Sequence, residues 1–259
     1  MLENEKKYIL LAYSIFCTTF VPALIFFDRE NYGMNPISEN TQLIVMLTHH
    51  DQTVENADEV FEVCKNSKAT CWGFKEHPLP LPDMKQLYAK MKGCGKTTFL
   101  EVVEYSEAEG LAGAQMAVEC GCDVLMGTKF YDSINDYCHE HHLRYMPFVG
   151  DVVGRPSVLG GTIDGMIAEA QEYLRKGVYG IDLLAYRYTG DASALISKFL
   201  KEVSAPVCIA GSIDSMERLD EVKAAAPWAF TIGSAFFENK FGNTFCGQID
   251  KVCEYISNF

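Results

Sequence analysis

The chain has 259 residues, of which 48% are hydrophobic and 22% charged, so it belongs with folded globular proteins and not with disordered, collagen-like or polytopic membrane chains. Its 22 Lys+Arg against 35 Asp+Glu give a net charge of -13, and no basic cluster offers the footprint that a nucleic-acid backbone needs. Nucleic acid is therefore not an expected partner, whereas a local basic pocket for a small anion remains compatible with this charge.

Residues 1–42 read as an apolar N-terminal extension. Within them the run from Tyr8 to Phe27 carries no charge, follows Lys6 and Lys7, and ends at Asp28-Arg29-Glu30. It has the length of a membrane span, yet Pro22 interrupts it, Thr18 and Thr19 are polar, and it lacks a small-x-small cleavage site. The preferred reading is an extra element packed on the domain, or an upstream extension with the working start at Met34. A membrane anchor through residues 8–27 is the alternative. The 10 cysteines are scattered, with only Cys120 and Cys122 close together, so the expectation is reduced thiols in a cytoplasmic protein, mostly small buried side chains.

After Asn40 short apolar runs alternate with helical stretches, the pattern of an α/β fold. Strands are predicted near Leu43–Leu47, Thr70–Phe74, Thr97–Val103, Val124–Thr128, Arg144–Val149, Ile181–Tyr186, Pro206–Ala210 and Ala229–Ile232. Helices fall between them, the last of these connections beginning with Ser215 as its cap; Gly93, Gly121 and Gly177 mark helix ends. Eight units of about 27 residues predict a (β/α)8 TIM barrel over residues 43–259. The Gly-x-Gly-x-x-Gly turn of a doubly wound sheet is missing, because Leu47 is followed by Thr48-His49-His50-Asp51.

The last two strands run into Gly211-Ser212 and Gly233-Ser234. Glycine lets the backbone approach a ligand closely, and amides opening a short helix point at an anion, as in the phosphate sites after strands 7 and 8 of such barrels. Over Val207 to Phe237 the sequence resembles the ribulose-phosphate-binding barrel superfamily, which includes phosphosugar epimerases, isomerases and aldolases. The resemblance implies that Gly211, Ser212, Gly233 and Ser234 hold a phosphate through main-chain amides. It identifies the anchor and leaves the reaction open; flavin mononucleotide enzymes share a similar cup, so the expectation is no cofactor, with FMN as the alternative.

Barrel enzymes react at the C-terminal ends of their strands. Period-two alternation sets Cys71, Gly73 and Lys75 on one face and Trp72 and Phe74 on the other, which points Lys75 into the barrel as Schiff-base nucleophile or as a cation for the substrate. Glu101, a carboxylate inside an apolar strand, must look inward or be paired, and suits general acid–base work; Glu104 is expected to be solvated. Lys129 competes with Lys75 as nucleophile. His49 is the candidate acid, base or metal ligand at the end of the first strand. Arg187 suits a carboxylate or phosphate. The segment from Gly150 to Thr162 is glycine-rich and long enough to form a lid. Cys138-His139-Glu140-His141-His142 looks like a metal cluster but lies at the stability face, and no metal is expected. Together these features point to an enzyme acting on a phosphorylated small metabolite, of isomerase, epimerase or carbon–carbon lyase type. An FMN-dependent oxidoreductase and a non-catalytic phosphate-ligand sensor are the alternatives, and self-association is left open.

Overall fold

The computed structural model describes residues 40–257. The apolar run 8–27, and with it all but the last three residues of the 1–42 extension, lies outside the described residues. Every predicted strand is present: β1 (Gln42–Met46), β2 (Cys71–Lys75), β3 (Thr97–Val102), β4 (Val124–Gly127), β5 (Arg144–Met146), β6 (Ile181–Leu183), β7 (Val207–Ile209) and β8 (Ala229–Ile232). All pair in parallel in the order β6-β7-β8-β1-β2-β3-β4-β5. The outer strands meet through backbone bonds from Tyr179 N to Tyr145 O at 2.9 Å and from Asp182 N to Pro147 O at 3.1 Å, which brings the sheet round into a (β/α)8 barrel.

Strand runs are apolar on both faces because one face fills the barrel and the other meets helices. Ile44, Met46, Cys71, Phe99, Val124, Met126, Met146, Cys208 and Ala229 form the inner core. Their neighbours, among them Val45, Trp72, Leu100, Leu125, Ile181, Leu183, Ile209 and Phe230, pack beneath the helices. Parallel strands can come close enough for this only where side chains permit it: a Cβ on Gly73 would lie 2.7 Å from the Phe99 carbonyl oxygen.

The helical layer comprises α1 (Ala57–Cys64), α2 (Leu81–Gly93), α3 (Glu107–Glu119), α4 (Asp132–Glu140), α5 (Ile163–Arg175), α6 (Ala192–Glu202), α7 (Met216–Ala225), the short α8 (Ser234–Phe237) and α9 (Phe245–Ser257). Ser215 caps α7 as expected, its Oγ accepting from Arg218 N at 3.3 Å. Gly121 and Gly177 take the left-handed conformation after α3 and α5, whereas Gly93 is the last helical residue of α2 and Gly95, at φ +73°, makes the turn. At the end of α4, Cys138 is buried, a His139 ring nitrogen lies 2.9 Å from the Gly177 carbonyl, and His141 packs on Tyr137. That histidine-rich stretch is used in packing, at the barrel face opposite the strand C-termini.

The expectation of reduced thiols fails at one pair. Cys64, closing α1, is bonded to Cys246 at the start of α9 with Cα atoms 5.2 Å apart and a sequence separation of 182. Closure of the barrel places the first and last helices side by side, which sequence spacing does not reveal. Cys71, Cys120, Cys122, Cys138 and Cys208 are free and buried, as expected. Among the described residues no helix is long and apolar enough to cross a membrane. Because the bridge closes so long a loop, replacing both Cys64 and Cys246 by Ala is expected to lower the unfolding free energy by about 2–4 kcal/mol in urea denaturation. Equal midpoints for the oxidised wild type and the double variant would contradict a formed bridge.

Candidate active site

β2 ends in Lys75, and a two-residue hairpin beyond β1 determines what that lysine meets. Thr48–His49 pairs with Gln52–Thr53 in antiparallel fashion, and the turn residues His50 and Asp51 both have positive φ, 48° and 67°. Thr53 then fastens the hairpin to β2: its hydroxyl donates to the Lys75 carbonyl at 2.8 Å and accepts from the Lys75 amide at 2.9 Å. Asp51 is thereby brought onto the Lys75 ammonium, where it forms a short hydrogen-bonded ion pair. Glu101 approaches the same ammonium from β3, at 3.8 Å, because the register sets Lys75 directly opposite Glu101.

This setting decides the state of the lysine. Burial by itself would push Lys75 down, but the charges of Glu101 and Asp51, the hydrogen bond to Asp51 and the more distant Glu76 outweigh it and raise it above the ordinary 10.5. Lys75 is a held cation and not a desolvated, neutral amine. Glu76 is itself raised by burial, and one of its oxygens accepts from the Val103 amide at 3.0 Å. Deeper in the barrel, Asp182 of β6 is wholly buried between the outward-facing Ile181 and Leu183, and among the described residues neither carboxylate oxygen has a hydrogen-bond partner. Burial drives its carboxyl well above the usual range, the Glu101 charge adds to this, and Lys75 offsets a part.

Lys75, Glu101 and Asp51 line one cavity of about 190 Å³ together with Thr48, Ser157, Arg187, Gly211, Ser212, Gly233 and Ser234. Lys75, Glu101 and the two Gly-Ser turns, singled out from sequence, therefore line a single pocket at the C-terminal ends of the strands. The glycines also meet a packing constraint. A Cβ on Gly233 would fall 2.4 Å from Thr48 Oγ1 and 2.9 Å from the Thr48 carbonyl, and one on Gly211, at φ +94°, would fall 2.5 Å from Arg187 Cγ. The space they leave is filled by Thr48 and by the Arg187 stem, so they position the walls of the pocket. Arg218 donates to the Ser212 carbonyl and to Asp214 at 3.1 Å, bracing the first turn from behind.

Two expected site residues lie elsewhere. His49 stacks on His50 at 3.8 Å and faces Phe237 and Glu238, with Nε2 3.9 Å from the Glu238 carboxylate, because the hairpin ends the alternation of β1. Lys129 lines a separate cavity with Phe130, Phe148, Glu169 and Tyr173, and its ammonium sits 5.8 Å from the Tyr105 ring. The Gly150–Thr162 segment does fold over the pocket. It contains a hairpin of Asp151–Val153 and Val158–Gly160, whose buried Ser157 lines the cavity. It is tied down by Tyr105 Oη on the Gly154 carbonyl at 2.7 Å, by Arg187 Nη1 on the Ser157 carbonyl at 3.4 Å, and by an Arg155–Glu104 pair at 2.9 Å. Glu104 thus holds the lid where solvation was expected. Among the described residues, donor atoms converge within 4.8 Å at His49, His50 and Glu238 and at Glu76, His77 and Glu104. The second group is already engaged by Val103 and Arg155, and the first has two exposed members.

Neither a family model nor a curated protein matches the sequence. Solved structures do match in fold. A 4-hydroxy-2-oxoglutarate/2-dehydro-3-deoxyphosphogluconate aldolase from TTHB1 superposes with a TM-score of 0.62 at 14% identity over 87% of this chain and 100% of that one. Orotidine 5'-phosphate decarboxylase from Pyrococcus horikoshii OT3 gives 0.60 at 10% identity, covering 84% and 100%. N-acetylmannosamine-6-phosphate 2-epimerase from Clostridium perfringens gives 0.57 at 14%, covering 85% and 94%. The chain shares its (β/α)8 barrel fold with these three proteins.

In this barrel the Lys75 cluster contributes to stability as well as to the site. Lys75→Met leaves Asp51 and Glu101 without their cation and is expected to cost stability toward the lower end of about 3–5 kcal/mol, because Asp51 still reaches water. Since Lys75 is raised in the folded state, its contribution is fully present below 10.5 and fades as pH climbs past the folded value. Urea denaturation between about pH 9 and pH 12 should show the gap between wild type and Lys75→Met narrowing only in the alkaline range. A gap that narrows already near neutrality would contradict this assignment.

Proposed function

We propose that this chain is an enzyme that moves a proton beside a carbonyl in a small phosphorylated metabolite, as an isomerase, epimerase or carbon–carbon lyase does. The observation that carries the proposal is the common cavity: a cation and a carboxylate at one wall, two Gly-Ser turns and Arg187 at another. The phosphorylated substrates named for the decarboxylase and epimerase neighbours, and the aldolase neighbour, support the same class. At about 190 Å³ the cavity is smaller than sites that take drug-sized ligands, which favours a compact metabolite over FMN.

In this mechanism the phosphate binds the amides at Gly211-Ser212 and Gly233-Ser234, with the Arg187 guanidinium beside it. The far end of the ligand then reaches the Lys75–Glu101 wall. Glu101 removes the proton from the carbon next to the carbonyl, and the bonding pair becomes an enolate whose oxygen is stabilised by the Lys75 ammonium. Returning the proton to the former carbonyl carbon, while the hydroxyl proton of the adjacent carbon passes to the former carbonyl oxygen, completes an isomerisation; returning it to the original carbon from the opposite face completes an epimerisation. In the lyase variant Glu101 takes a hydroxyl proton, the carbon–carbon bond breaks, and its electron pair forms the same enolate. Lys75 as a fixed cation serves all three, and its ion pairs argue against a Schiff base as the resting route.

Dihydroxyacetone phosphate, which carries phosphate, carbonyl and enolisable carbon in a small molecule, is a suitable probe. Its deuterium wash-in from heavy water, followed by NMR, should be accelerated by the wild type and slowed at least about 100-fold by Glu101→Gln. Ser234→Asp adds a carboxylate at the phosphate position and should weaken inorganic-phosphate binding at least about tenfold, without loss of thermal stability. Gly233 variants do not serve for this purpose, since Thr48 occupies the space they would fill. Equal wash-in by wild type and Glu101→Gln would sink the catalytic reading, and unchanged phosphate affinity in Ser234→Asp would sink the anchor.

A further inference from the structure

Three carboxylates and one ammonium meet inside the barrel: Asp51, Glu101 and Asp182 with Lys75. If all were ionised, the interior would carry two uncompensated negative charges before an anionic ligand arrived. The four groups are not equally placed. Asp51 holds the ammonium directly, Glu101 lies 3.8 Å from it, and both line the cavity. Asp182 does neither, is wholly buried, and has no hydrogen-bond donor on either oxygen among the described residues. An isolated carboxylate in such a place costs far more than a neutral carboxyl, so the proton stays there.

We propose that Asp182 is the neutral acid of the site, a charge-setting residue whose retained proton leaves Glu101 as the ionised base. The role deepens the enolising function above and rests on that reading. In the resting site the proton is held on buried Asp182, while Glu101 lies beside the Lys75 ammonium. When Glu101 takes the substrate proton, both carboxyls are neutral and the new negative charge lies on the enolate oxygen, facing Lys75. The one other negative charge of the four-group cluster is then Asp51, which is already paired with Lys75. Ionised Asp182 would add a negative charge inside the barrel, against the enolate that forms there. The groups that act on Asp182 are Lys75 of β2, Glu101 of β3 and the thiol of Cys208 on β7, which burial and the two carboxylates keep as a neutral thiol.

Infrared spectroscopy of the full chain tests this without any substrate. The wild type at neutral pH should show a protonated-carboxyl band that moves on aspartate-selective 13C labelling and is missing from Asp182→Asn. The label assigns the band to aspartate even if Asp182→Asn fails to fold. Glu101→Gln removes the charge that opposes ionisation, so the band should vanish at lower pH than in the wild type; Lys75→Met removes the charge that favours it, so the band should persist to higher pH. In dihydroxyacetone phosphate wash-in, wild-type turnover should fall at alkaline pH where the band vanishes, whereas Asp182→Asn should keep its rate through that range. A residue of merely structural importance would leave the alkaline fall in place. Absence of the aspartate band at neutral pH, a band midpoint unmoved by Glu101→Gln, or an alkaline fall retained in Asp182→Asn would each overturn the proposal. If the wild type shows no wash-in at all, the enolising function fails, while the infrared results still judge the state of Asp182.

Discussion

A lysine ammonium buried at the top of a closed barrel is tolerable only if carboxylates meet it there, and the geometry of this site follows from that requirement. Desolvation opposes the charge on Lys75, and Glu101 with Asp51 overturns the opposition. A carboxylate supplied by the neighbouring strand comes at no cost in chain conformation, since parallel register places Glu101 opposite Lys75. The second carboxylate is harder to bring. It requires the chain after β1 to turn back through two consecutive left-handed residues, His50 and Asp51, neither of them glycine. Such a turn persists where its surroundings over-determine it, and the two hydrogen bonds of Thr53 to the Lys75 backbone provide that restraint.

The same hairpin reaches across to the other wall. Thr48 packs against Gly233 so closely that no side chain fits there, and the His50 amide donates to Ser234 Oγ at 3.2 Å. The lysine cluster and the second Gly-Ser turn are therefore joined through one short element. Arg187 does the corresponding work on the opposite side, with its stem over Gly211 and its guanidinium on the lid hairpin. A ligand that touched both walls would be held by groups whose positions are fixed before it arrives, which is the preorganisation that electrostatic catalysis depends on.

Much of this was legible in the sequence, for identifiable reasons. Eight strands stand out because burial on both faces makes each an unbroken apolar run, and Glu101 stands out because a carboxylate interrupts such a run. Asp182 gives the same signal between Ile181 and Leu183, near the start of the predicted run Ile181–Tyr186, of which the structure keeps only Ile181–Leu183 as strand. Asp51 and His49 were not legible as placed: alternation predicts which residue faces inward only while the strand continues, and here it ends at Met46. The spacing of the Gly-Ser turns marks them in the sequence, whereas their packing against Thr48 and Arg187 does not show there, since both come from distant parts of the chain. The Cys64–Cys246 bridge is likewise a product of closure, joining helices that only the completed ring makes adjacent.

The proposed mechanism requires Lys75 to remain a cation during the reaction, and covalent trapping tests this most directly. Incubation of the protein with dihydroxyacetone phosphate and borohydride, followed by peptide mass spectrometry, should leave the peptide containing Lys75 unmodified under conditions in which deuterium wash-in proceeds. A reduced adduct on Lys75, formed at the rate of turnover, would show a neutral amine attacking the carbonyl and would contradict the fixed-cation mechanism.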